Sequence, residues 1–201
     1  MAEHYFSPAP SSAEERKPVT ATVWGHELRL QSASGVFAVG RLDRGTAVLF
    51  REAEPPPSPG TFLDLGCGYG VIACALAVAV PEAEVWAVDV NERALRLTRD
   101  NARALALQGR VRPALPADVP EAVVFDEIWS NPPIHIGKPA LHELLDHWLA
   151  RLTLEGRAVL VVSKNLGADS LQRWLTEGGF PCARRGSAKG FRVLEMRRAA
   201  P

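Results

Sequence analysis

The chain has 201 residues, 47% of them apolar, which suits one α/β domain with a full core and a small extension. Basic and acidic residues number 23 each. This zero net charge argues against binding to nucleic acid through bulk charge, although a local basic patch stays open. The three cysteines, Cys67, Cys74 and Cys182, are too scattered for a zinc site and suit a reducing compartment. Residues 1–10 lack a signal-peptide core, and the longest apolar run, residues 71–80, is too short to span a bilayer. We therefore expect a cytoplasmic protein that neither spans a membrane nor binds a metal ion.

Short strand signals fill the beginning of the chain. A turn at Gly25 and His26 predicts a β-hairpin, and a second turn is predicted at residues 43–46. We expect residues 1–54 to form an N-terminal β extension beside the mouth of the main sheet. The strands predicted there are residues 19–23, 27–30, 35–39 and 47–50.

Residues 55–60 contain four prolines and predict a stiff linker, because proline fixes φ and lacks a backbone donor. From residue 61 to residue 201, strand and helix signals alternate, which favours a mostly parallel sheet. An antiparallel hairpin around Gly186 and Gly190 is predicted to close the chain. The predicted helices are residues 69–80, 92–107, 140–154 and 169–177, and the later predicted strands are residues 111–115, 157–162, 181–184 and 191–196.

A glycine-rich loop follows the first strand of this alternating region. Asp64 precedes Gly66, Gly68 and Gly70, and glycine suits a sharp turn or a close approach of backbone to a ligand. Such a loop, at the carboxyl end of a parallel strand, is where open α/β sheets bind nucleotide-like ligands. Asp89 ends the next apolar run, where a carboxylate could accept both ribose hydroxyls of an adenosine. Asp89 suits NAD and S-adenosylmethionine (AdoMet) equally, but Asp64 and the G-x-G-x-G spacing favour AdoMet over the G-x-G-x-x-G dinucleotide pattern.

A second loop follows a later apolar run and reads Asn131-Pro132-Pro133. The prolines predict a stiff, extended loop whose carbonyls no local N–H easily takes up, and Asn131 is pushed away from helix by the proline after it. The amide oxygen of Asn131 and the carbonyl of Pro132 are two fixed acceptors. Together they could hold the two hydrogens of an exocyclic amine and localise its lone pair towards a methyl donor.

Several weaker signals stay open. Asn91 is a candidate N-cap for the second helix of the alternating region. Asp118 could accept from an adenine amino group or be an ordinary turn acid. A stripe of Arg96, Arg99 and Arg103 favours a solvated helix face over an RNA contact. A late group of basic residues could touch phosphates or form a solvated terminus. Its members are Arg184, Arg185, Lys189, Arg192, Arg197 and Arg198.

The motifs at residues 64–70, 88–91 and 130–138 resemble those of the methyltransferase small domain family. They are most similar to the RsmC-type ribosomal RNA guanine-N2 methyltransferases and their stand-alone relatives. His4-Tyr5-Phe6-Ser7, Gly35-Val36-Phe37 and the segment 189–194 also fit this pattern. The resemblance implies a Rossmann-like class I fold, with a mostly parallel seven-stranded sheet and a terminal antiparallel hairpin, in a methyltransferase domain at residues 61–201.

The resemblance also implies roles for individual residues. Asp64, Gly66, Gly68 and Gly70 would border the methionine part of AdoMet, and Asp89 would hold the ribose with Asn91 nearby.

The same resemblance implies a substrate side. Asn131 and Pro132 would bind the target amine, with Asn131 also next to the cofactor. Pro133 and Ile134 would lie against the base. Many relatives carry Phe or Tyr where Ile134 stands. Phe37 could supply the missing aromatic face, although its residue type favours a place in the core.

The resulting hypothesis is an AdoMet-dependent N-methyltransferase that acts on a guanine N2 amine of small-subunit ribosomal RNA, with the RNA or the small subunit as its partner. One rival keeps the chemistry but methylates adenine N6 or a protein glutamine amide, since Asn-Pro-Pro loops also occur in such enzymes. A module that binds AdoMet without turnover is a second rival. A dehydrogenase is a third.

Overall fold

The computed structural model describes residues 13–198, so the His4–Ser7 motif lies outside the described residues. The strands are β1 (Arg16–Val23), β2 (His26–Ala33), β3 (Thr61–Leu65), β4 (Glu84–Val88), β5 (Val111–Ala114), β6 (Phe125–Ser130), β7 (Leu152–Ser163), β8 (Cys182–Ala188) and β9 (Phe191–Arg197). The α-helices are α1 (Arg44–Glu52), α2 (Val71–Ala79), α3 (Glu92–Ala104), α4 (Lys138–Leu149) and α5 (Ala168–Glu177).

Within the described residues, seven strands form the main sheet in the order β5-β4-β3-β6-β7-β9-β8. The strands from β5 to β7 are parallel, and β9 pairs antiparallel with both β7 and β8. The sheet is buried on both faces, which explains why its central strands are runs of apolar residues rather than alternating ones. This arrangement confirms the predicted sheet and its terminal antiparallel hairpin.

Two apolar layers cover the sheet. Helices α1, α2 and α3 pack on one face, where Leu49, Leu76 and Leu97 are fully buried. Helices α4 and α5 pack on the other face through Leu145 and Leu175. The three-layer packing leaves the carboxyl ends of the parallel strands open, which is where sheets of this class bind ligands.

The order in which the chain adds strands to the sheet reverses between β3 and β6, since β4 and β5 lie on one side of this pair and β7 lies on the other. These neighbouring strands are parallel, with Leu65 opposite Ser130, and the Ser130 hydroxyl donates to the Leu65 carbonyl at 2.6 Å. The glycine loop follows Leu65 and the Asn-Pro-Pro loop follows Ser130. Both loops therefore leave the sheet side by side at the same edge.

The predicted N-terminal hairpin is confirmed, and the segment directly after it, which includes Val36 and Phe37, lies at the mouth of the main sheet. β1 and β2 form a separate two-stranded sheet that packs on helices α2 and α3. The amide of Asn101 on α3 holds β2, since it accepts from the Gln31 N–H at 2.8 Å and donates to the Gln31 carbonyl at 2.9 Å. At the hairpin turn, the Trp24 indole N–H donates to the Ala53 carbonyl at 2.9 Å. The hairpin thus joins the main core through side chains rather than through the sheet.

The prediction of strands at residues 35–39 and 47–50 is wrong. The first is a series of turns in which Gly35 and Ala38 have positive φ angles of 74° and 61°. The second lies in α1, because the Asp43 side chain accepts from the N–H groups of Gly45 and Thr46 and so caps a helix. A four-residue apolar run cannot by itself separate a strand from a buried helix segment.

Later boundaries also shift. The helix predicted over residues 140–154 ends at Leu149, and β7 begins at Leu152. The intervening Arg151 donates to the carbonyl of Val123 at 3.0 Å, which fixes the turn between them. Gly186 lies inside β8, where a side chain would collide with the Glu52 carboxylate, so the hairpin turn is at Lys189 and Gly190 alone.

In the described part of the chain, every helix falls short of the length and apolar character needed to cross a bilayer. Among residues 13–198, no three His, Cys, Asp or Glu side chains gather where they could share a metal ion.

Candidate functional site

A cavity of about 300 Å³ opens at the carboxyl ends of β3, β4 and β6. The glycine loop, the turn after β4 and the Asn-Pro-Pro loop form its walls, so the two loops that the sequence singled out share one cavity. The predicted site residues that line it are Phe37, Gly66, Gly68, Asp89, Asn91, Asn131, Pro132, Pro133 and Ile134.

The glycine loop approaches the cavity with bare backbone. Gly66 and Gly68 have φ angles of 75° and 56°, a conformation that favours glycine. A Cβ placed at Gly66 would lie 3.9 Å from Pro133 across the cavity. Any longer side chain would fill the space between the two loops, which explains why the sequence has glycine there.

Asp89 faces the cavity from the end of β4 and is held by backbone donors. Its Oδ2 accepts from the Gly68 N–H at 2.9 Å and its Oδ1 from the Asn91 N–H at 2.9 Å. Burial raises the pKa of the Asp89 carboxyl, and these backbone donors oppose the rise. An ionised carboxylate offers about four acceptor positions, so Asp89 can still accept from ligand hydroxyls.

Asn91 confirms its predicted place at the N-cap of α3. Its Oδ1 accepts from the N–H groups of Arg93 and Ala94, and its Nδ2 donates to the Gly35 carbonyl at 2.8 Å. The second bond ties the segment before Phe37 to the cavity. Phe37 is 37% exposed there rather than part of the core.

Asn131 is oriented by two residues that the sequence analysis missed. Its Nδ2 donates to Asp43 Oδ2 at 2.8 Å and to Thr46 Oγ1 at 3.1 Å. Both hydrogens of the amide are thereby engaged, so its Oδ1 is the atom left to accept from a ligand. Asp43 itself lines the cavity. The Asp-x-x-Thr spacing before an apolar run is an N-cap signal that could have located the helix, but only the fold brings Asp43 to Asn131.

The carbonyl of Pro132 differs from the prediction. It accepts from the Ile134 N–H at 2.8 Å, and the Pro133 carbonyl accepts from the Ile136 N–H at 3.1 Å. Local donors do reach these carbonyls because a 3₁₀ turn, Ile134–Ile136, follows directly. A carbonyl oxygen has two lone pairs, so Pro132 keeps one for a ligand.

Three predicted cofactor residues do not line the cavity. Asp64 is completely buried, and its Oδ2 accepts from the Ala73 N–H at 2.9 Å in the first turn of α2. Burial raises the pKa of the Asp64 carboxyl to about 8. Gly70 is the N-cap of α2 with a φ of 83°, and a Cβ there would meet Thr98 at 2.6 Å. Asp118 is exposed in a 3₁₀ turn, Pro116–Asp118, whose first residue does line the cavity.

Further wall residues had been given no individual role from the sequence, although His135 and Phe191 lie in segments that resemble the family. Phe191 begins β9 and adds a second aromatic side chain to the cavity, and His135, Ser163 and Leu166 complete the wall near it. They come from three separate segments of the chain, and the sheet order alone makes them neighbours.

A glycine loop, a ribose-type carboxylate and an Asn-Pro-Pro loop at the reversal point of this seven-stranded sheet define a class I AdoMet-dependent methyltransferase. Comparison with known proteins agrees with that class. The family model of the methyltransferase small domain matches residues 27–195, and the chain belongs to this family.

Individual relatives give the same result. The chain is 32% identical over 179 residues to the uncharacterized protein YbxB of Bacillus subtilis, covering 88% of this chain and 89% of that one. It is 33% identical over 200 residues to ribosomal RNA small subunit methyltransferase C of Pseudomonas entomophila, covering 92% of this chain but 58% of that one. The chain therefore spans a little over half the length of that methyltransferase.

A solved structure is similar over most of the chain. The T. thermophilus 16S rRNA N2 G1207 methyltransferase, RsmC, in complex with AdoMet and guanosine, superposes with a TM-score of 0.78 at 26% identity. The match covers 94% of this chain and 52% of the T. thermophilus chain. The predicted family, fold class and cofactor are thus confirmed.

The residues present fit AdoMet. The bare backbone of Gly66 and Gly68 leaves room for a ligand, since a Cβ at Gly66 would lie 3.9 Å from Pro133 and one at Gly68 would lie 4.0 Å from Val36, both of which line the cavity. Asp89 presents an acceptor suited to ribose hydroxyls, fixed by its two backbone donors. Apolar side chains of Val36, Val88 and Val90 complete this part of the wall, as expected for a site that binds a flat ring.

Proposed function

We propose that this chain methylates the exocyclic N2 amine of a guanine in small-subunit ribosomal RNA. The observation that carries the proposal is the Asn131 amide, whose two hydrogens are engaged by Asp43 and Thr46 while the side chain lines the same cavity as Asp89 and the glycine loop. A hydrogen-bond acceptor such as Asn131 Oδ1, held in one orientation beside the cofactor part of the cavity, suits an amine substrate.

The cofactor half of the cavity would be formed by Gly66, Gly68, Asp89 and Asn91. AdoMet, when bound, supplies an electrophilic methyl group on a sulfonium. Asp89 would accept from the ribose hydroxyls, and the bare loop would admit the methionine part of the cofactor. The cofactor-binding roles of Asp64, Gly70 and Asp118 stay predictions. Asp64 and Gly70 do not line the cavity and would support the glycine loop from the buried side, through the start of α2.

The substrate half would be formed by the Asn-Pro-Pro loop. The lone pair of a ring amine is delocalised, so the amine is a weak nucleophile. Asn131 Oδ1 and the remaining lone pair of the Pro132 carbonyl would accept the two amine hydrogens, pull them out of the ring plane and so localise the nitrogen lone pair towards the methyl donor. The new N–C bond would form as the methyl–sulfur bond breaks, which leaves a neutral thioether, and the nitrogen would lose one proton to water. Orientation then contributes most of the rate enhancement, as expected for a transfer between two bound partners.

The target base would lie between apolar side chains. Ile134 and Pro133 would contact one side of it, and Phe37 supplies an aromatic surface elsewhere on the wall. A base in a helix must leave its stack to reach such a cavity.

The relatives support the substrate without deciding it. The T. thermophilus relative is a 16S rRNA N2 G1207 methyltransferase, and its structure is a complex with AdoMet and guanosine. The chain spans about half of that enzyme, so recognition of the same RNA by this chain alone is part of the proposal. The cytoplasmic location of the present protein also stays a prediction, which cell fractionation would test.

The test is methyl transfer from labelled AdoMet to unmethylated 30S subunits, to free 16S RNA and to glutamine-containing peptides side by side. We expect label in RNA and N2-methylguanosine in its nucleoside digest. N6-methyladenosine or labelled peptide would replace the proposed acceptor with one of its rivals. No transfer to any of these acceptors, together with tight AdoMet binding, would favour the non-catalytic module.

Asn131→Ala tests the role of the amide. We expect kcat to fall roughly 100-fold or more, as when one preorganised hydrogen-bonding group is removed from an active site, with the AdoMet dissociation constant little changed. The control is Asn165→Ala, at an exposed asparagine that does not line the cavity. An unchanged kcat in Asn131→Ala would contradict the proposed mechanism.

A further inference from the structure

A second cavity, of about 310 Å³, lies next to the first at the end of the β8–β9 hairpin. Four cationic residues line it, Lys164, Arg184, Lys189 and Arg192, and none of the residues that line it is acidic. Its charge is therefore suited to an anion.

Three of the four cations are available to a ligand. Arg192 is nearly buried and pairs with Asp169. Lys164, Arg184 and Lys189 are exposed, and within residues 13–198 no carboxylate pairs with them. Their charge is thus uncompensated in a chain whose net charge is zero.

The two cavities adjoin each other. Phe191 lines both of them. Ser163 lines the first cavity and its neighbour Lys164 lines the second, and the Lys164 N–H donates to the Gly190 carbonyl at 2.8 Å. The second cavity therefore lies directly beside the first, with Phe191 in the wall of both.

The hairpin turn presents one of these cations at its tip. Lys189 and Gly190 have φ angles of 49° and 82°, as in a two-residue type I′ turn. Asn and Gly are the residues that such turns favour, because both central residues need positive φ. A lysine there accepts a less favourable backbone conformation while placing a charge at the rim of the second cavity.

We propose that the second cavity binds phosphates of the RNA strand whose target base enters the first cavity. The inference rests on the proposed RNA substrate and specifies how a chain of this length would hold it. Phosphate contacts from Lys and Arg fix register and orientation without reading sequence. Such contacts release counterions, so they make binding depend on salt.

The test compares two variants that each remove two positive charges. Lys164→Gln combined with Lys189→Asn neutralises the cavity, and asparagine also suits the type I′ turn, so the hairpin is preserved. Arg99→Gln combined with Arg103→Gln is the matched control on exposed positions of α3. The measurements are anisotropy of a labelled single-stranded RNA between about 50 and 200 mM salt and calorimetry with AdoMet.

We expect the cavity variant to bind RNA more weakly and to lower the slope of log K against log salt by about 0.7 for each phosphate that it no longer neutralises. The control should keep the wild-type slope, and both variants should keep the wild-type AdoMet affinity. An unchanged slope in the cavity variant, or an equal reduction in the control, would overturn the proposal in favour of diffuse charge.

Activity separates this proposal from the proposed function. If the wild type methylates RNA and the cavity variant keeps the same KM and salt slope, the second cavity has no role and the proposed function stands. If the wild type neither binds nor methylates RNA, both fail. If an acidic peptide instead binds the wild type and binds the cavity variant more weakly, the cavity holds a protein partner and the RNA assignment is wrong.

Discussion

At the scale of single residues, the site depends on how one amide is oriented. An asparagine can present either its oxygen or its nitrogen, and Asp43 can only accept, so the carboxylate selects the orientation of Asn131. The same Asp43 oxygen also accepts from the Gly45 and Thr46 N–H groups. The cap of α1 and the orientation of Asn131 therefore share one atom.

Asp43→Ala should separate this orienting role from substrate contact. The amide of Asn131 would lose its fixed direction, and we expect kcat to fall by roughly 10- to 100-fold with AdoMet binding unchanged. Loss of the N-cap should also lower the free energy of unfolding by about 1 kcal/mol. Asp43→Asn keeps an acceptor and an N-cap, so it should restore most of kcat. Equal reductions of kcat in both variants would contradict the orienting role.

The buried Asp64 predicts a pH-dependent stability. Its pKa is about 8 in the folded protein, because burial disfavours the charged form, against an ordinary value of 3.8. Between these pH values the folded state holds a proton that the unfolded state has released, so the free energy of unfolding should fall as pH rises from about 4 to about 8. The contribution is at most about 1.4 kcal/mol per pH unit.

Denaturant unfolding at several pH values would measure this slope. Asp64→Asn keeps an acceptor for the Ala73 N–H and removes the titration, so it should flatten the profile. Asp146→Asn, on an exposed position of α4, should leave it unchanged. A profile as steep in Asp64→Asn as in the wild type would assign the slope to other groups.

At the scale of elements, helix α2 begins where backbone and packing both require glycine. Gly70 has a φ of 83°, and a Cβ would lie 2.6 Å from the Thr98 side chain on α3. Thr98 in turn donates to the Gly68 carbonyl at 3.1 Å, so the same contact supports the cavity loop. Gly70 does not line the cavity, but its lack of a side chain lets α2 and α3 approach closely enough for Thr98 to support the glycine loop.

Gly70→Ala should lower the free energy of unfolding by about 2–4 kcal/mol, from the left-handed backbone together with overpacking against Thr98. Gly109→Ala is the control, since a Cβ there meets nothing within 4 Å. Combining Gly70→Ala with Thr98→Ala, read against Thr98→Ala alone, should recover the overpacking share of the destabilisation. Thermal unfolding that is unchanged in Gly70→Ala would exclude this packing role.

At the scale of the whole molecule, ligand binding should stabilise the fold because the cavity draws its walls from several parts of the chain. AdoMet at 100 times its dissociation constant adds about 2.7 kcal/mol to the free energy of unfolding. For a chain of this size that raises Tm by about 5–10 °C. NAD at the same concentration should give no shift, and a larger shift with NAD would return the dehydrogenase to consideration. Differential scanning fluorimetry with each ligand is sufficient.

The sequence by itself determined the parallel sheet, the family and nine of the residues that line the cavity. Glycine spacing, an acid after an apolar strand and a proline pair are local signals, because each reflects the backbone freedom or rigidity of the residue that carries it. Gly66, Gly68, Asp89 and Asn131 were found in this way, and all four line one cavity.

Only the tertiary structure decided the identity of α1, the partners of Asn131 and the junction of the two cavities. The apolar run at residues 47–50 is too short for its periodicity to choose helix over strand. Asp43 and Asn131 are 88 residues apart in the sequence. Lys164, directly after β7, and Gly190, directly before β9, are joined by a backbone hydrogen bond. Contacts of this kind follow from the order in which strands pair, and no pattern within a short stretch of sequence specifies that order.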